Sequence, residues 1–338
     1  DLDHTLHSGV LGEDGIDGVE LTPGHIALQQ YIKGLQERGI FVALVSRNER
    51  EDVEALFAKR SDYPLKWDDF SAIEVSWGDK GDAIARIAKA LRIAVDAVVF
   101  VDDNPGELAS VSMRLSNVHT IYAHADAEMT RRALHFYPGL WRWAVSADDA
   151  KRIQDLKAMA EREALAENVA DPAEYFRSLQ VALSYRHNPQ AQLNRLADLC
   201  VKTNQFNLAV RRFNQAELQE RMLSGDACVS SVQLSDRLSD SGVIAVIVAE
   251  RSGSKLIVEE LCISCRAMGR KLEDTIVIQA IHDMPIFAGS TEVAFRVQEA
   301  PRNQPATKWL ADFIGEPLPL SPGLYSVNAE KIRDFNAI

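Results

Sequence analysis

The sequence predicts an α/β chain in two parts, a parallel sheet covered by helices followed by an α+β domain. Three observations lead there. Over the first 125 residues, short apolar or β-branched runs alternate with segments of helical period. Those apolar runs end in polar residues, as strands that open onto a ligand crevice do. After Asp171 the pattern changes to a hairpin followed by a helix. A chain of 338 residues fits two domains at about 100 to 200 residues each, both long enough to bury a core.

In chain order, the sequence begins at Asp1 without Met and without a signal or transit pattern, which leads to the expectation of a segment upstream. Thr22-Pro23 starts a helix: a capping hydroxyl precedes a proline at the first helical position. Leu28, Tyr31, Ile32 and Leu35 continue it at i, i+3, i+4 and i+7, and Gly39 ends it. Ile40 to Val45 reads as a buried strand that runs into Ser46-Arg47-Asn48. The unit repeats, with Ile84, Ile87, Ala88 and Leu91 as the stripe, Ala97 to Val101 as the strand, and Asp102-Asp103-Asn104 as its polar ending. The first domain is placed at 1–126 and a charged helical connector at 127–170, with Ser146 to Asp149 as a helix start and Ile153, Leu156, Ala160 and Leu165 as a loose stripe. The second domain is placed at 171–338. In it Val243 to Ala249, a turn at Arg251 to Ser254, and Leu256 to Ile263 form a hairpin, with a helix from about Met268. From about Gly315 the prolines 317, 319 and 322 suggest a loop-rich tail.

Composition narrows the function. Lys and Arg total 37 against 49 Asp and Glu, a net charge of −12, with a pI near 5.2. Such a surface repels polyanions, so neither nucleic acid nor an anionic membrane is the expected partner. The longest apolar run, Gly242 to Ala249, falls far short of the ~20 residues of a membrane span. Four cysteines, 200, 228, 262 and 265, are too few for a disulfide scaffold, and one C-x-x-C lacks the second pair of a structural zinc site. A reducing, cytoplasmic setting is expected.

Asp1-Leu2-Asp3-His4-Thr5 places two carboxylates two residues apart, on one face of an extended segment. Such a pair suits a hard divalent cation. Alone it reads as two solvated acids, Ser46 as an ordinary cap and Lys80 as a helix-start lysine. Together and in this order, with Asp102-Asp103 closing the set, they resemble the haloacid dehalogenase (HAD) superfamily of phosphotransferases. The resemblance implies an aspartyl nucleophile at Asp1 and a general acid and base at Asp3. It implies Thr5, Ser46, Asn48 and Lys80 around the phosphate, and Mg²⁺ held by Asp1, the Asp3 carbonyl, Asp102 and, through water, Asp103. The superfamily sets its Asp-x-Asp on the end of a buried strand, which this sequence lacks. No gap in the first domain has room for an inserted cap, so a Rossmannoid, uncapped, open site is expected, suited to a bulky or protein-borne substrate.

Leu261 to Arg270 runs from strand into helix and resembles the acyl-CoA-binding turn of GNAT-type acetyltransferases, with Lys271 where that fold has a small residue. Adding Gly12-Glu13-Asp14-Gly15, Val45-Ser46-Arg47-Asn48, Asp102-Asp103-Asn104-Pro105 with Glu107, Lys202 to Leu208, and Ser235-Asp236-Arg237 with Asp240 and Gly242, nearly the whole chain resembles the FkbH-like family. That family pairs a HAD-like domain with a GNAT-like domain. The resemblance implies a glyceryl transferase and phosphatase of polyketide biosynthesis. It takes 1,3-bisphosphoglycerate, holds the glyceryl unit as a thioester, removes the remaining phosphate and passes glycerate to an acyl carrier protein.

A thiol is required for that scheme, and Cys265 at the strand-to-helix turn is the choice, where N–H groups would favour a thiolate. Cys262 is the alternative, and His187 or His282 a possible base. Asn204, Gln205 and Asn207 with Asp236, Arg266, Gly269 and Arg270 are the expected substrate and pantetheine contacts; the amides equally suit a turn. Arg211-Arg212 suits a carrier-docking patch or a solvated face. The family usually has Asn at position 4 and Trp at position 7; both are His here. The rival readings are a Mg²⁺ phosphatase whose second domain only binds a partner, and a non-catalytic docking module.

Overall fold

The computed structural model describes residues 1–141, 147–168, 172–318 and 322–335. The chain is a mixed α/β protein of two compact units, Asp1–Lys157 and Ala158–Ile338.

In the first unit, α1 (Leu11–Gly18), two short turns broken at Gly15 with φ 69°, is followed by α2 (Pro23–Glu37), which Thr22 caps as its sequence requires: the hydroxyl accepts the His25 N–H and Pro23 takes the first helical position. Gly39 follows at φ 82°, ending the helix with a conformation that suits a residue without Cβ. Then come β1 (Ala43–Ser46), α3 (Arg50–Lys59), β2 (Ala72–Val75), α4 (Lys80–Ala90), β3 (Val99–Asp102), α5 (Pro105–Arg114), β4 (His119–Tyr122) and α6 (Ala127–Phe136). Strand β1 pairs in parallel with β2, and β3 with β4. Among the described residues β1 and β3 do not hydrogen-bond to each other. A cavity of about 200 Å³ lies there, lined by Leu44, Val45, Phe100, Val101, Asp1 and Thr5 among others. The stripes read from the sequence are buried: Leu28 and Leu35 pack with Ala127 and Leu134 of α6, and Ile84 and Ile87 pack with Val45 and Phe100.

Residues 127–140, assigned to a connector by sequence, therefore pack within the first unit. The division between units falls inside α7 (Ala147–Asn168). Ser146 and Asp171 lie outside the described residues, as does Pro319; the side chains of Ala147, Asp148, Asp149, Ile153 and Ala160 do too.

The second unit continues with α8 (Pro172–Leu179), β5 (Ala182–His187), α9 (Leu193–Lys202), α10 (Gln215–Leu223), β6 (Ala227–Ser235), β7 (Asp240–Ser252), β8 (Lys255–Ile263), α11 (Glu273–His282), β9 (Glu292–Val297), α12 (Gln304–Ile314), β10 (Gly323–Asn328) and α13 (Glu330–Arg333). Its six-stranded sheet runs β10-β9-β8-β7-β6-β5. The expected hairpin is β7 and β8, closed at Gly253 with φ 63°. Both faces are covered: Ile244, Ile247 and Leu261 join Ile276 and Phe295 in one core, and Val246, Val248 and Cys262 join Leu196 and Phe213 in another. This explains the unbroken apolar run of β7.

Two expectations fail here. The tail forms β10, which pairs with β9, and α13, with Val327 and Ile332 in the core. The helix expected from Met268 starts only at Glu273. Gly269 and Lys271 adopt φ 74° and 56°, left-handed backbone that an α-helix cannot contain.

Strands β8 and β9 pair in parallel only over Lys255–Val258 and Glu292–Phe295. Beyond that point the chain's own Phe206–Leu208 segment enters between them. Leu208 N–H donates to the Leu261 carbonyl, Ile263 N–H to Phe206, and Gln298 N–H to Leu208. No helix is long and apolar enough to cross a membrane, among the described residues.

Candidate active site

The carboxyl ends of β1 and β3 bring the sequence-predicted residues of the first unit together. Leu2 is wholly buried between the two acids and anchors a turn in which the Thr5 and Leu6 N–H groups return to its carbonyl. Asp1 is tied to β3 through its nitrogen, which donates to the Val101 carbonyl at 2.9 Å. Asp102 ends β3, and Asn104 immediately caps α5. Lys80 is the first residue of α4, behind its cap Asp79.

Lys80 is buried, with Nζ 2.9 Å from Asp1 Oδ1 and 2.7 Å from Asp102 Oδ2. One oxygen from each of Asp1, Asp102 and Asp103 lies within 4.8 Å of the others. Three carboxylates against one ammonium leave an excess of negative charge that a hard divalent cation would neutralise. Burial, then the neighbouring Asp102, pushes the Asp103 carboxyl above its usual range. Among the described residues the buried Thr5 hydroxyl has no hydrogen-bond partner, an unmet polar atom of the kind a phosphoryl oxygen would satisfy. The donor set thus fits Mg²⁺ and a phosphate together.

Asp3 is held from three sides. His7 Nε2 is 3.1 Å and the Leu11 nitrogen 3.0 Å from Oδ1, and Asn48 Nδ2 donates to Oδ2 at 2.8 Å. Burial raises the Asp3 carboxyl, but donation from His7, Leu11 and Asn48 outweighs it and holds the group below the usual carboxylate range. Asn48 also donates to Ser46 Oγ at 3.0 Å, joining Asp3 to the end of β1. His4 is exposed, with φ 51°. Sequence reading missed Tyr63, whose hydroxyl is 2.9 Å from His7 Nδ1. It also missed Arg47–Glu107, an ion pair of 2.9 Å joining the Ser46 loop to α5.

In the second unit the expected contacts turn inward. The buried Asp236 carboxylate accepts from Leu238 and Ser239 N–H and from Arg162, and lies 3.1 Å from Arg270 Nη1. Arg270 also reaches Ser241, and Arg266 donates to the Val243 carbonyl. Asn207 is wholly buried and spends its amide on Thr203 and Val210 of its own loop. That loop is pinned by Glu260, unnoticed in the sequence, whose carboxylate accepts from the Ala209, Arg211 and Arg212 N–H groups. Asn204 is exposed and accepts from Arg212; Gln205 is half-buried. Gly269 N–H is taken by Glu273.

Cys265 is the one half-buried cysteine; Cys200, Cys228 and Cys262 are buried, and all four are free. Burial pushes the Cys262 thiol well above its usual value and the Cys228 thiol up as well. Because α11 begins at Glu273, Cys265 does not sit on its first turn, and the helix-terminus activation expected of it is absent. Among the described residues neither His187 nor His282 hydrogen-bonds to it; they pair with Ser230 and Asp283.

No protein-family model matches the chain, and no curated protein matches it significantly. Among solved structures, one similar to it is the N-terminal part of the protein BF1531 from Bacteroides fragilis, containing a phosphatase domain complexed with Mg. Identity is 30%, the TM-score is 0.39, and the match covers 40% of this chain and 38% of that one. Two forms of the spermidine N-acetyltransferase SpeG from Vibrio cholerae match 45% of this chain at 12% identity and a TM-score of 0.33, covering 99% and 96% of theirs.

Proposed function

We propose that the chain is a two-part enzyme whose first unit transfers and hydrolyses phosphoryl groups and whose second unit carries a glyceryl thioester to an acyl carrier protein. The observation behind the phosphoryl chemistry is the clustering of Asp1, Asp102 and Asp103, the first two paired with the buried ammonium of Lys80. Asp1 attacks phosphorus, the bond to the leaving oxygen breaks, and Asp3 protonates that oxygen. The aspartyl-phosphate is then hydrolysed by a water that gives its proton to Asp3, releasing inorganic phosphate. Lys80, Ser46 and Thr5 face the phosphoryl oxygens. Mg²⁺, held by Asp1, Asp102, Asp103 and the Asp3 carbonyl, would supply charge to offset the incoming phosphate.

For the acyl half, Cys265 thiolate attacks the acyl carbon of 1,3-bisphosphoglycerate and expels phosphate; the thioester then exchanges onto the phosphopantetheine thiol of the carrier. The FkbH-like motif series and the accessibility of Cys265 support this step. A cytoplasmic location accords with the four free thiols.

The inward-turned Asp236, Arg270 and Asn207 favour a second reading, in which the first unit is a Mg²⁺ phosphatase and the second only recognises a partner. Intact-protein mass spectrometry after incubation with Mg²⁺ and enzymatically generated 1,3-bisphosphoglycerate separates them. The proposal expects a phosphoglyceryl adduct on the parent protein, absent from Cys265→Ala and trapped with its phosphate in Asp1→Asn. Adduct-free protein that still hydrolyses phosphate esters would establish the second reading. Chelation with EDTA is expected to stop hydrolysis in both.

A further inference from the structure

His7 is wholly buried, yet both of its ring nitrogens face a polar partner, Nε2 towards Asp3 and Nδ1 towards Tyr63. An ionised carboxylate only accepts, so Nε2 carries the hydrogen towards Asp3, and Nδ1 faces the Tyr63 hydroxyl at 2.9 Å. Tyr63 is itself buried, and burial pushes its phenol up, so it stays a donor. The Leu11 N–H adds a second hydrogen bond to the same oxygen, Asp3 Oδ1. Among the described residues Oδ1 thereby has two partners, whereas Oδ2 has one, the Asn48 amide that also holds Ser46.

We infer that His7 is a positioning residue for Asp3, fixing its carboxyl plane so that Oδ2, the oxygen joined through Asn48 to Ser46, is the one turned to the phosphate cradle, with Tyr63 orienting the His7 ring. This rests on the phosphatase reading, in which Asp3 is the general acid. A carboxyl free to rotate would present either oxygen to the cradle, and only one of them is linked to Ser46. An indole in place of His7 would offer one donor and no acceptor, so the Tyr63 partnership belongs to histidine.

The measurement is first-turnover alcohol release with Mg²⁺ from two esters, p-nitrophenyl phosphate, whose leaving group needs little protonation, and glycerol 3-phosphate, whose alkoxide must be protonated. In His7→Leu the alkyl ester is expected to slow about 100-fold, the aryl ester about tenfold less, with KM unchanged within about twofold. His7→Gln, which keeps a donor, is expected to restore most of the difference. Tyr63→Phe should show the same leaving-group dependence in weaker form, and it decides the matter if His7→Leu does not fold. Equal slowing of both esters, or no slowing, would overturn the inference while leaving phosphatase activity standing. Parent protein inert toward both esters removes the phosphatase reading itself, and the inference with it.

Discussion

Asp1→Asn is expected to lower phosphate-ester turnover by about 10⁴-fold or more, since the amide can neither attack phosphorus nor carry the charge that holds a cation. The fold should survive. Lys80 keeps Asp102 at 2.7 Å when Asp1 loses its charge, and Leu2, the anchor of the turn, is untouched. Steady-state hydrolysis of p-nitrophenyl phosphate, with circular dichroism as the check on folding, measures both halves of the expectation. Turnover within tenfold of the parent would move the nucleophile elsewhere and discard the phosphoryl mechanism.

The second large effect is on stability. Asp236→Ala removes a wholly buried carboxylate from between Arg162 and Arg270 and from two backbone N–H groups. Two guanidinium groups and two N–H groups then lose the carboxylate they share, and breaking a buried ion pair of this kind costs about 3–5 kcal/mol. Urea unfolding reads this as a lower midpoint. The pH dependence has a definite sign. Burial raises the Asp236 carboxyl, but donation from Arg162 and the two N–H groups outweighs it, and its folded-state value lies below the ordinary 3.8. Its contribution is therefore fully present above that value and fades as the pH falls through the lowered one. Asp236→Ala should lose stability less steeply than the parent over that acid range; parallel curves would show that the carboxylate does not hold the network.

The difference between what the sequence disclosed and what it hid follows from how local each signal is. Ser46 and Asp102 were legible because each follows an apolar run that must end where its strand leaves the core. Lys80 alone reads as an ordinary helix-start lysine and was legible only through the ordered motif set that resembles the HAD superfamily. The strands β2 and β4 escaped notice because they are four residues long and only half-buried. β10 hid among prolines, since its partner β9 stands far upstream of the apparent tail. The start of α11 was misplaced because left-handed backbone at Lys271 leaves no trace in a residue type that rarely adopts it. The inward turn of Asp236 and Arg270 was illegible for another reason. Composition marks a polar residue as capable of binding something and is silent on whether the partner is a ligand or Arg162. Likewise His7 and Tyr63 stand 56 positions apart, and no spacing rule joins them.

The burial of Lys80 between Asp1 and Asp102 also separates the protein's two electrostatic populations. The Lys80 and Asp102 side chains are 5% and 0% exposed, so bulk salt screens their pairing little, whereas the net charge of −12 resides chiefly on side chains that salt screens. Added electrolyte therefore acts on the approach of an anionic substrate and hardly on the centre that receives it. An anion should arrive faster as ionic strength rises and meet the same reactive cluster when it does, the reverse of enzymes that draw anions in with an exposed basic funnel.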